Sequence, residues 1–168
     1  MGGINRALYE QRHLAKASNP CVFLSHISVD KSTAIAIGDY IKKQGDIDIY
    51  LDLNDEELQR AVKRDDPTGI TKFIEQGLSY STHIMCLVSA APVESWWVPY
   101  ELGFAKNAGK HLSTLKLKGE IALPAYLQIS EIIFCRTAAV GRNPVTPFGG
   151  EPYGFMVKGI LFELTPPP

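Results

Sequence analysis

A carboxylate placed beside an indole is the most chemically suggestive pattern in the chain. Trp97, Glu101 and Ala105 recur at intervals of four, which puts them one above another along one side of a helix. A carboxylate against apolar surface is partly desolvated, and its field then acts on a nearby positive charge far more strongly than in water. The bland alternative is a solvated helix Glu flanked by Trp96 and Trp97 as core or interface aromatics. A second pair, Ser25-His26, closes the apolar run Cys21 to Leu24. Ser25 there can turn the chain or touch a ligand, and His26 can hydrogen-bond within its loop or reach a bound group. The run Ile84 to Val88 ends in Ser89, where a phosphoacceptor receiver domain would need Asp. Cys21, Cys86 and Cys135 are scattered through or beside apolar runs, as suits buried thiols in a reducing compartment better than bridges or a metal cluster. There is no clustered His and Cys ligand set, so no metal is expected. His13, His83 and His111 receive no role.

The elements that must hold these residues follow from alternating periodicities. Cys21 to Leu24 reads as a strand covered on both faces, and Ala34, Ile37, Gly38 and Ile41 as a helix stopping at Gln44-Gly45. Ile47, Ile49 and Leu51 alternate with Asp48, Tyr50 and Asp52 as a second strand. The charged stretch 54–66 lacks a useful apolar face and reads as a long mobile loop, with at most a helical turn around Glu57 to Val62. Asp52, Asp55, Glu56 and Glu57 are expected to form its solvated face. Asp66-Pro67 is a helix start, and Ile70, Phe73, Ile74, Gly77 and Leu78 form the cleanest amphipathic stripe. Ile84 to Val88 is a third strand, Ser95 opens a helix to about Gly109, Leu112 to Leu117 is a more exposed strand, and Ile132 to Phe134 is the last. A Gly- and Pro-rich loop at 141–152 leads to a closing helix with Phe155, Met156, Ile160 and Leu164. This order predicts an α/β fold, a five-stranded parallel sheet between two helical layers, with a single domain over 20–165 and an N-terminal extension at 1–19. Ligands in such folds sit at the carboxyl ends of strands, so the loops after Leu24, Leu51 and Val88 should share one cleft.

Composition narrows the partners. The 168 residues carry a formal net charge of -1, which offers no basic excess for a phosphate backbone. No nucleic acid is expected, and no apolar run approaches the roughly 20 residues that span a bilayer. The polar N-terminal stretch lacks a signal-peptide core. A cytoplasmic protein is expected.

Three segments occur together in order: Val22-Phe23-Leu24-Ser25-His26; the stretch ending Asp66-Pro67-Thr68-Gly69-Ile70; and Leu87-Val88-Ser89 followed by Ser95-Trp96-Trp97-Val98-Pro99-Tyr100-Glu101-Leu102. From about Cys21 to Phe134 the chain resembles a bacterial-type TIR (Toll/interleukin-1 receptor) domain. The resemblance implies a flavodoxin-like fold, a mobile BB loop mapping to about 52–69, and cleavage of NAD at the nicotinamide-ribose bond. It puts the catalytic role on Glu101, with Trp97 four residues before it, Tyr100 beside it, and Ser25 and His26 on the facing loop as substrate-binding residues. NAD is then a substrate rather than a cofactor.

The chemistry suits one carboxylate. The pyridinium leaves as a neutral base while positive charge develops on the ribose, so an anion beneath the sugar stabilises the transition state more than the ground state. Water would give ADP-ribose, whereas a tethered adenine nitrogen or ribose hydroxyl would give a cyclic ADP-ribose isomer. The resemblance further implies self-association through region 52–69. It also implies a product read by a separate effector protein, as in Thoeris-type antiphage systems. Two other readings stay open: a non-catalytic TIR interaction module, and a nucleoside deoxyribosyltransferase-like enzyme.

Overall fold

A computed structural model of the chain describes residues 2–27, 30–89, 95–117 and 122–134, the last four of them by backbone alone. Five parallel strands form one sheet in the order β2-β1-β3-β4-β5: β1 (Cys21–Ser25), β2 (Asp48–Tyr50), β3 (His83–Val88), β4 (His111–Lys116) and β5 (Glu131–Phe134). The helices are α1 (Tyr9–Arg12), α2 (Lys31–Lys43), α3 (Glu56–Lys63), α4 (Pro67–Ser79) and α5 (Trp97–Asn107). The loop expected at 141–152, the closing helix beyond it and Cys135 lie outside the described residues.

Both faces of the sheet are covered, and side-chain parity sorts the core. Val22, Leu24, Ile49, Leu51, Met85 and Leu87 join Ala34, Ile37 and Ile41 of α2 in one cluster. Cys21, Phe23, Tyr50, Ile84, Cys86 and Val88 join Leu58, Ile74, Leu78, Val98, Leu102 and Ala105 of α3, α4 and α5 in the other. Successive strand residues point to opposite faces, which is why a strand buried on both sides reads as a continuous apolar run. β1 is the clearest case, with all of Cys21–Ser25 buried.

The segment expected to be a mobile loop is a helix. Asp55 caps α3 by accepting the N–H groups of Glu57 and Leu58, and Glu56 pairs with Arg60 one turn on. Leu58 and Ala61 are buried, a stripe short in sequence but sufficient because α3 packs along α4. Two apolar residues suffice when capping and a neighbouring helix supply the rest. The expected acidic solvated face also fails at Asp55, which is 3% exposed and accepts the Tyr50 hydroxyl. As expected, Asp66 caps α4 through the Gly69 N–H, with Pro67 in its first turn.

Tyr50 organises this side of the sheet. Its ring stacks on Phe23 at 5.4 Å, and Gly77 of α4 lies so close that a Cβ there would overlap the ring. The N-terminal residues extend the β2 edge: Ile49 N–H donates to Ile4 and Arg6 N–H to Ile49 O. Asn5 is buried; it donates to Asn54 and accepts the Ala7 and Leu51 N–H groups. The turn Asp52–Asn54 that follows β2 is therefore held from two sides.

Candidate functional site

Ser25 is the last residue of β1 and lies in register with Cys86 of β3. It shares a parity with Phe23 and so faces the α5 layer. α5 turns its stripe Val98, Glu101, Leu102 and Ala105 onto that face, and the Ser25 hydroxyl donates to Glu101 Oε2 at 2.5 Å. Glu101 is 5% exposed. Burial pushes its carboxyl up to about 8, against the lowering effect of the Ser25 hydrogen bond, and the Asp52 charge pushes it further up. A carboxyl that ordinarily ionises near 4.5 is thus largely protonated at neutral pH. Cys86 is fully buried beside it, and burial followed by the Glu101 charge raises the thiol far above its ordinary range. It is inert there rather than nucleophilic.

His26 leaves the end of β1 with only 3% of its side chain exposed. Its Nδ1 lies 3.2 Å from the Leu24 carbonyl and 3.7 Å from Asp52 Oδ1. The Leu24 carbonyl, an acceptor, and the nearby Asp52 charge favour the proton on Nδ1. The loops after β1 and β2 therefore meet, as expected of strands that share a rim. Ser89, just beyond β3, presents a third polar group at the same edge. Among the described residues its Oγ, Asp52 Oδ1 and Asp30 Oδ2 are buried side-chain atoms with no hydrogen-bond partner. These three residues sit on the loops that follow three adjacent strands. Buried polar atoms normally find partners, so this rim is short of donors that a bound molecule could supply.

The sequence-derived residues divide into two groups. Ser25 and Glu101 are in direct contact, and His26 reaches Asp52. Trp97 and Tyr100 flank the buried stripe of α5 instead of joining it, at 37% and 38% exposure. They pack edge to face at 5.9 Å, and the Tyr100 hydroxyl donates to Glu75 of α4. The spacing of four that placed Trp97 over Glu101 holds along the helix, but the helix is rotated so that Glu101 and Ala105 face inward while the indole is partly outside. Asp52 was missed, having been read as part of the solvated acidic face. Its signal was parity: it stands two residues beyond Tyr50, whose register partner is Phe23, just as Ser25 stands two beyond Phe23. Among the described residues there is no group of three His, Cys, Asp or Glu side chains placed to hold a metal ion, and no helix long and apolar enough to cross a membrane.

Comparison with known families supplies an independent finding. Residues 23–120, more than half of the chain, match the family model described as Thoeris protein ThsB, TIR-like domain. The match takes in the last three residues of β1, all of β2 to β4 and every residue of the rim described above. No curated protein matches the chain.

Proposed function

The chain belongs to the Thoeris ThsB TIR-like family, and from that premise we propose that it is an enzyme cleaving the nicotinamide-ribose bond of NAD, with Glu101 as its catalytic carboxylate. The family places it among TIR domains of antiphage defence. The observation that carries the enzymatic reading is Glu101 itself: a carboxyl withdrawn from water at the carboxyl edge of the sheet, oriented by Ser25 and pushed up to about 8. Structural carboxylates are seldom buried without a cation. One held this way is suited to meet positive charge brought by a ligand.

In the reaction the C–N bond breaks with its electron pair passing to the pyridine nitrogen, and nicotinamide leaves neutral. Positive charge moves onto the ribose. Glu101 as a carboxylate stabilises that charge, and the approach of the cationic ring favours its ionised form. Ser25 fixes which oxygen faces the sugar, and Asp52, whose side chain is 29% exposed, can take a ribose hydroxyl. Trp97 and Tyr100 offer aromatic surface at the start of α5 for the departing ring. Water captures the ribosyl cation as ADP-ribose; a tethered hydroxyl or adenine nitrogen captures it as a cyclic isomer, which a separate effector protein would read.

The test is incubation with NAD, following nicotinamide release and separating the adenine-containing products, for wild type and Glu101→Ala. The expected result is release that falls by about 10³-fold in the variant, the usual scale for losing a transition-state electrostatic contact. Equal release by both proteins would remove Glu101 from the chemistry. No release by either would favour the second reading, a non-catalytic self-associating module. Trp96, at 93% exposure beside half-exposed Trp97, is the observation that favours that reading, since large exposed aromatics mark contact surfaces.

A further inference from the structure

We propose that Asp52 is the second carboxylate of this site, and that with Glu101 it selects a nucleotide whose departing ring carries positive charge. The inference rests on the NAD-cleaving reading and names the feature of the ligand that the site distinguishes.

The argument begins with register. Phe23 pairs with Tyr50, and Ser25 with Cys86. Leu51 continues extended from β2, so Asp52 follows as the next residue of Tyr50's parity. Asp52, Ser25 and Cys86 thus form a row across the carboxyl ends of β2, β1 and β3, on the face that α5 covers with Glu101. The consecutive residues Ser25 and His26 tie the row together, one touching Glu101 and the other lying 3.7 Å from Asp52. Asp52 Oδ1 is closed to solvent and has no hydrogen-bond partner among the described residues, yet its side chain as a whole is 29% exposed. It is therefore a carboxylate at an opening, half committed to the fold.

The groups around the pair are few. Asp52 faces His26, Lys31 at the start of α2, the Leu53 N–H and Asp55. Glu101 faces Ser25 and Asp52, with Cys86 close by. The charge of Asp52 opposes ionisation of Glu101. Burial raises Asp52 as it raises Glu101, so the two carboxyls resist ionising together; an arriving cation stabilises the ionised pair and is favoured, whereas a further anion is disfavoured. Oxidised nicotinamide dinucleotide presents a pyridinium, whereas the reduced form presents a neutral ring on the same scaffold. The N-terminal segment has a part in this, because Asn5 donates to Asn54 in the turn that carries Asp52, although it lies outside the family match.

Two measurements on full-length wild type and Asp52→Asn test the proposal. The first is a ¹³C NMR titration of the Glu101 carboxyl, which needs no turnover. Its midpoint should move to lower pH in the variant; a residue that merely shaped the turn would leave it in place. The second is the affinity for carba-NAD, which keeps the pyridinium but resists cleavage, against that for NADH. Wild type should prefer carba-NAD, and Asp52→Asn should reduce that preference by about tenfold, the scale of one screened charge near the ring. An unmoved midpoint, or an unchanged preference, overturns the proposal; Asp52→Ser provides the same readouts should the Asn variant fold poorly. If the midpoint moves but neither dinucleotide binds, the carboxylate pair stands, while its ligand and the NAD-cleaving reading both fall.

Discussion

Asp48 opens β2 and Asp52 begins the turn two residues beyond its end, four residues apart, yet their surroundings differ completely. At the amino end, Asp48 is 1% exposed; its Oδ1 accepts the Ile4 N–H, and its Oδ2 takes the Arg6 guanidinium at 2.8 Å. Arg6 in turn spends its remaining donors on the carbonyls of Tyr80, Lys16 and Asn19. Nearby, His83 stacks on His111 at 4.6 Å, and burial, aided by His111, lowers His83 to about 4, which leaves it neutral. At the carboxyl end, Asp52 keeps a buried oxygen unpartnered, and Glu101 has a serine hydroxyl where Asp48 has an arginine. The contrast separates acidic residues that hold the fold from those that the fold holds ready.

Breaking each end should therefore move stability in opposite directions. Asp48→Ala leaves Arg6, 11% exposed, without its counterion and should cost about 3 kcal/mol, measured by denaturant unfolding. Glu101→Gln should do the reverse. The carboxyl at about 8 in the fold ionises near 4.5 when unfolded, so its contribution is fully favourable below about pH 4.5 and is lost as pH rises through about 8. The variant should overtake wild type across that window, by on the order of 4 kcal/mol near pH 8, and the two should coincide at pH 4. A Glu101→Gln variant no more stable than wild type at pH 8 would mean that the carboxyl is compensated after all. Smallest is Asp66→Ala, which removes the cap of α4 at an exposed position. It should cost about 1 kcal/mol of unfolding free energy, without changing the pH dependence of stability.

The frame that carries this contrast was legible in the sequence, though the contrast itself was not. The apolar runs of β1 and β3 announced strands covered on both faces, and Asp66-Pro67 announced α4, because those signals are local. The resemblance carried Glu101 and Ser25 to positions that the fold brings into contact. What local patterning missed was burial that depends on a neighbour. The stretch 54–66 is mostly charged, and its two inward residues, Leu58 and Ala61, gain their meaning only from α4 beside them. Asp48, Tyr50 and Asp52 looked like the polar face of a half-exposed strand, whereas α3, α4 and α5 cover that face and turn their polar groups into buried ones. The partners of Asp48 come from Ile4 and Arg6, more than 40 residues away, and no periodicity within β2 can reveal them. Trp97 was placed correctly by spacing but not by rotation, since the pattern of one helix does not say how far it is turned about its own axis.

The most direct measurement is the pH dependence of kcat/KM for nicotinamide release from NAD, which reports ionisations of the free enzyme and free substrate. NAD has no group titrating near pH 8 that would mimic the effect. If the buried Glu101 is the catalytic carboxylate, activity should rise about tenfold per pH unit at lower pH and level off above a midpoint near 8, with the rising limb absent from the residual activity of Glu101→Gln. A flat profile through this range, or a variant that keeps both the rate and the limb, would contradict the account.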